Sequence, residues 1–168
     1  ASNADNLLLV YPGCTTTEDF FTAVFPFTVS QSEIREYVVG LSRAHGVVRY
    51  TFNNLPEDAI ALGVTMENVG LQKWVTGDYT DFIAADRRYD LIPITRQVSG
   101  EIDDYIMGTF PTVANERSTF RLGLYRQGQD EPYLSQVISD TLTVVRNQLL
   151  DIAVTYDNGT FNFEVLMD

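Results

Sequence analysis

The sequence predicts an all-β protein folded as an antiparallel β-sandwich, and three observations carry that prediction. In the closing stretch two alternating apolar runs flank Asn158-Gly159, a dipeptide that accepts the left-handed backbone of a two-residue hairpin turn. About seven or more short apolar runs, separated by Gly, Pro and Asn clusters, follow one another along the chain, which is the spacing of a sandwich. Aromatic residues make up 12% of the 168 residues, with ten Phe and nine Tyr, and such side chains suit a pleated, half-buried surface better than a helix. No helix of ordinary length and no long repeat stands out, so solenoids and propellers are set aside.

The elements follow in order. Leu7–Tyr11 reads as a buried strand ending at Pro12-Gly13, and Phe20–Val29 as a second apolar run. Pro26 places that run at a sheet edge, because proline cannot donate to the ladder. Ser30–Arg35 is a polar turn or a short helix start, and Glu36–Leu41 is a strand. Arg43–Phe52 carries Val48, Tyr50 and Phe52 on one face and Arg49 and Thr51 on the other. Asn53–Asp58 is a turn by composition. Leu62, Val64 and Met66 then alternate with Gly63, Thr65 and Glu67. From Gly70 to Asp90 the pattern weakens into a long connection holding Trp74 and Tyr79, and Leu91–Val98 resumes as a strand whose Pro93 again marks an edge. Ile102–Phe110 is ambiguous. Thr119–Arg126 turns Phe120, Leu122 and Leu124 inward before the Gln127–Asp130 turn, and Val137–Val145 is a further strand. In the final hairpin Ile152, Val154 and Tyr156 share one face, as do Phe161, Phe163, Val165 and Met167.

Composition narrows the function classes. A net charge of −12 argues against nucleic acid, whose phosphate backbone it does nothing to neutralise, and against docking on anionic lipid. The single Cys14 rules out an internal disulfide and any multi-cysteine metal site. It reads as a small buried or loop thiol rather than an acylation site. No apolar run reaches the ~20 residues of a membrane helix, and Leu7–Tyr11 is too short and lacks the basic flank of a secretory signal. Ser2-Asn3-Ala4 reads as a remnant of tag cleavage, which would place any export signal upstream.

Catalytic chemistry finds few residues to use. A triad needs a histidine base, and His45 is the only histidine; between Ala44 and Gly46 it reads as an exposed or lightly packed loop side chain. The pairs Glu57/Asp58, Asp103/Asp104 and Asp130/Glu131 lie in turns, where neighbours in sequence do not face one another across a cleft. They read as solvated charges. Asp157-Asn158-Gly159 lacks the remaining ligands of a calcium loop. Asn158-Gly159-Thr160 matches the N-glycosylation sequon, but the tight turn already accounts for it. No catalytic, cofactor or metal residues are assigned, and an enzyme is not expected. Trp74, Tyr79, Phe82 and Tyr89 cluster in the weakly patterned segment, either as loop anchors on the core or as a glycan-contact platform.

Val47-Val48-Arg49-Tyr50-Thr51-Phe52-Asn53-Asn54-Leu55-Pro56, Ala61–Val69, Phe120–Arg126, Leu142–Asn147 and the Ile152–Met167 hairpin together resemble the C-terminal domain of the fimbrial anchor and fimbrillin-like proteins of Bacteroidales, the FimB-type minor subunits. Leu41-Ser42-Arg43 is similar to the Leu-x-Arg that opens the second domain there. The resemblance covers Val47–Asp168 through diffuse β-patterns and lacks the family's Asp-Trp ending. It implies a transthyretin-like Greek-key sandwich over residues 43–168, with residues 1–42 holding the closing strands of a truncated preceding domain. It further implies a cell-surface, outer-membrane location and membrane attachment only through a lipid anchor upstream. Its partners would be other fimbrial subunits, joined by strand addition. Asp140-Thr141-Leu142 is similar to the O-glycosylation pattern of these bacteria, with Thr141 as acceptor. The competing expectations are a carbohydrate-binding sandwich of a surface lipoprotein and, more remotely, a hydrolase with dispersed carboxylates.

Overall fold

A computed structural model describes residues 8–10, 21–23, 36–74, 82–84, 88–97, 102–113 and 116–166. Among them there is no helix. Eight strands build the sandwich: β4 (Gly46–Asn53), β5 (Ala61–Met66), β8 (Arg88–Pro93), β9 (Tyr105–Thr109), β10 (Ser118–Tyr125), β11 (Leu134–Leu142), β12 (Leu149–Asp157) and β13 (Thr160–Leu166). One sheet has the order β11-β10-β5-β8 and the other β13-β12-β4-β9. Along the chain β5 and β8, β10 and β11, and β12 and β13 pair within a sheet, while the steps from β4 to β5, β8 to β9, β9 to β10 and β11 to β12 cross between the sheets. This is the transthyretin-like Greek-key sandwich. Outside it, β1 (Leu8–Val10), β6 (Gly70–Trp74) and β7 (Phe82–Ala84) form a three-stranded sheet, and β2 (Phe21–Thr22) pairs with β3 (Ser42–Arg43).

Alternation places the core. Val48, Tyr50 and Phe52 of β4 meet Leu62, Val64 and Met66 of β5, Phe120, Leu122 and Leu124 of β10, and Ile152 and Val154 of β12, all buried. Each sequence-predicted inward set on these strands is inward, because a period of two on a half-buried strand admits one register. The outer face of β5 is buried as well. A Cβ at Gly63 would lie 2.9 Å from Tyr125 and 3.1 Å from Tyr89, so two tyrosine rings lie close over the backbone there and would have to shift to admit a side chain.

Several expectations need correction. The sheets are mostly antiparallel, but β4 and β12 pair in parallel from Val47↔Leu149 to Asn53↔Thr155. Parallel neighbours cannot be joined by a tight turn, and here almost the whole domain forms the crossover. Glu36–Leu41 is not a strand: it joins no ladder among the described residues, and Val38 is fully exposed. The Gly70–Asp90 connection instead contains β6, β7 and the start of β8. Strand β8 begins before Leu91 because Asp90, a residue that breaks an apolar pattern, sits at an inward position opposite Val64 and is buried. The ambiguous Ile102–Phe110 contains β9.

His45 is also corrected. It is 2% exposed, its Nδ1–H donates to the Gly46 carbonyl at 3.0 Å, and Asn147 N–H donates to its own carbonyl at 2.9 Å. The 144–148 segment folds over it. The expectations for Cys14, Pro26, Ser30–Arg35, Tyr79 and Met167 fall outside the described residues.

Candidate functional site

With no catalytic group assigned, the surfaces that carry chemistry are the sheet edges and the grooves beside them. A free edge presents unpaired N–H and C=O groups, and folded proteins usually blunt it with proline, inward charge, bulges or short length. Three of the four sandwich edges are blunted in these ways. Strand β8 carries Pro93, as the sequence predicted for an edge, and the inward Asp90, which lies 3.5 Å from the Tyr105 hydroxyl. Strand β9 has only five residues. The β10–β11 ladder shifts register on both sides of Phe120.

Strand β13 is different. It runs in unbroken register against β12 from Asp157↔Thr160 to Asp151↔Leu166, and its seven residues Thr160–Leu166 include neither proline nor lysine. Asn158 (φ 48°) and Gly159 (φ 86°) give the left-handed pair of a type I′ turn. The closing Asp157–Thr160 pair is hydrogen-bonded, and bonded and non-bonded pairs alternate from there. The N–H and C=O of Phe161, Phe163 and Val165 therefore face away from β12, toward the free edge. All three side chains share the core-facing side, yet only Phe161 is buried; Phe163 is 42% exposed. At Phe161 the outward groups are met by Gln136 of β11, whose Nε2 donates to the carbonyl and whose Oε1 accepts from the N–H, both at 2.8 Å.

On the opposite side of the sandwich, a small apolar cavity of about 180 Å³ opens between the sheets beside β8 and β9, lined by Phe52, Leu55, Leu62, Ile92, Ile102 and Tyr105. It continues into an open polar groove of about 790 Å³ where Glu57, Asp103 and Asp104 line the wall with Arg96. Arg96 donates to the carbonyls of Leu55 and Pro56, and Gln97 donates to Asp103 at 2.6 Å. Glu57 of one predicted turn pair and both members of another thus share one groove, but no group of three His, Cys, Asp or Glu among the described residues is placed to hold a metal ion.

The described members of the predicted glycan-contact set fall on two sheets. Trp74 and Phe82 lie on β6 and β7 of the small sheet, whereas Tyr89 stands on β8 of the sandwich, 44% exposed. Its hydroxyl donates to that of Tyr125 at 2.8 Å. This pair borders a groove of about 430 Å³ with Arg121, Glu67, Glu131 and Pro132. Tyr125 and Gln136 were missed from sequence because each acts through a partner on another strand. Thr141 is exposed near the end of β11, its N–H bonded to Ser139 Oγ at 3.3 Å. Next to the sandwich end, Arg126 Nε donates to Asp58 at 2.7 Å and its guanidinium lies 3.9 Å over the Tyr133 ring. Burial, reinforced by the Asp58 charge, raises the Tyr133 phenol above its usual range.

No protein-family model and no curated protein matches the chain. Two solved structures, each described as a candidate cell adhesion protein, are similar in fold. The one from Bacteroides ovatus shares 15% identity at a TM-score of 0.50, over 77% of this chain and 46% of that one. The one from Bacteroides fragilis shares 10% identity at a TM-score of 0.46, over 77% of this chain and 48% of that one. The chain thus spans about half the length of the structures it matches.

Proposed function

We propose that this chain is a non-enzymatic cell-surface protein of the fimbrial anchor or adhesin-assembly kind, joined to its neighbours by strand addition at β13. The observation that carries the reading is that edge: regular, unblunted beyond Phe161, with Phe163 exposed on its core-facing side. An extended segment laid against it meets the outward groups of Phe163 and Val165 and covers the Phe163 ring with an alternate side chain. Main-chain bonds then supply affinity and side chains supply specificity. The net charge of −12 disfavours nucleic acid and anionic lipid, so the partner in this reading is protein, and membrane attachment belongs to a lipid anchor upstream. The fold shared with the Bacteroides ovatus protein supports a surface-adhesion setting.

Calorimetric titration with terminal-strand peptides of co-expressed fimbrial subunits tests this. At least one peptide is expected to bind, and Phe163→Lys to weaken it by about tenfold or more, as expected for losing a covered phenyl ring. A chain that binds none of these peptides overturns the reading. Binding on a glycan array instead would favour the Tyr89–Tyr125 groove and a carbohydrate-binding module.

A further inference from the structure

Gln136 belongs to β11, in the sheet opposite β13. Its backbone is paired with Leu122 of β10, and its side chain reaches across the open side of the sandwich to Phe161. A primary amide offers a donor and an acceptor side by side, as the outward groups of a strand residue do. The two 2.8 Å bonds therefore take up the pair that an added strand would use at that residue. The rung is held firmly. Phe161 is buried, packs edge-to-face on Tyr156 at 6.0 Å, and lies next to the closing pair of the hairpin. Along the same edge, among the described residues, Gln136 is the side chain that meets a β13 main-chain group, and it does so at Phe161 rather than at Phe163 or Val165.

We infer that Gln136 is a plug on the β13 edge that sets the register of an incoming strand. It closes the Phe161 rung, so the partner's backbone bonds begin at Phe163 and run to Val165. This rests on β13 being the accepting edge. The ligand is an extended peptide, recognised by its backbone and by an apolar side chain set over Phe163. The plug also shortens the edge open to unintended pairing, serving the same end as a proline or an inward charge.

Residue-resolved amide hydrogen exchange tests the plug, using the protein, Gln136→Ala and Gln136→Glu, with a synthetic peptide of alternating valine and threonine as probe. Without peptide, the Phe161 amide is protected while those of Phe163 and Val165 exchange quickly. Gln136→Ala brings Phe161 to their rate, a change of roughly tenfold or more. Gln136→Glu keeps the acceptor for the Phe161 N–H, so protection there survives. With peptide, Phe163 and Val165 become protected in both the parent and Gln136→Ala, but Phe161 gains protection from the peptide only in the latter. Affinity for Gln136→Ala rises roughly tenfold through the two recovered backbone bonds. Equal Phe161 exchange in the parent and Gln136→Ala, or an unchanged affinity, overturns the plug while leaving strand acceptance standing. Peptide protection of no β13 amide in any variant overturns strand acceptance at β13, and the register role with it.

Discussion

Asp151 shows how far a single residue's role depends on its surroundings. It lies on the outer face of its strand, in a register row running Ile106, Arg49, Asp151, Leu166 across the four strands of its sheet, yet it is only 5% exposed. Arg49 Nε and Nη2 both donate to its Oδ2, and Oδ1 has no hydrogen-bond partner. A buried carboxylate needs its counter-charge. Arg49→Ala is expected to destabilise the fold by about 2–3 kcal/mol, below the range for a fully buried pair because the Arg49 side chain is 36% exposed. The double variant Arg49→Met with Asp151→Leu is expected to lose less than Arg49→Ala alone, since no charge is stranded. Urea midpoints of the parent and these two variants measure it. Position 49 was legible as outward from alternation, but its pairing with position 151 was not, because the two are 102 residues apart.

Among the elements, local chemistry made some legible and hid others. The final hairpin was legible because its turn depends on two adjacent residues with positive φ and its strands on simple alternation. Gly159→Ala is expected to cost about 1–2 kcal/mol, almost wholly from backbone conformation, because no atom lies within 4 Å of the added Cβ. A shift in the thermal unfolding midpoint with no change in core packing checks it. Glu36–Leu41 has similar alternation but joins no ladder among the described residues, so it forms no strand. Strand β8 was obscured by Asp90, whose burial beside the Tyr105 hydroxyl allows a charged residue type at a core-facing position. A strand is a property of a pair, and a one-strand pattern carries only half of it.

Across the whole molecule, one core joins both sheets, so they should unfold together. Phe120 is fully buried in β10 within the core cluster that also includes Tyr50, Ile152 and Val154 of the other sheet. Phe120→Ala is expected to cost about 3–5 kcal/mol, with far-ultraviolet dichroism and tyrosine fluorescence reporting one coincident transition. Separate transitions would show that the sheets do not share a cooperative core. The parallel β4–β12 pair closes the domain over about a hundred residues, an arrangement that alternation cannot announce. Amino-acid order alone settled the all-β class, the inward faces of β4, β5, β10 and β12, and the type of the closing turn, because period-two patterning and positive-φ residues act locally. Tertiary assembly settled which strands lie at the sheet edges among the described residues, which tyrosines share a groove, and that Gln136 meets Phe161. Each of these depends on strands distant in sequence reaching the same place.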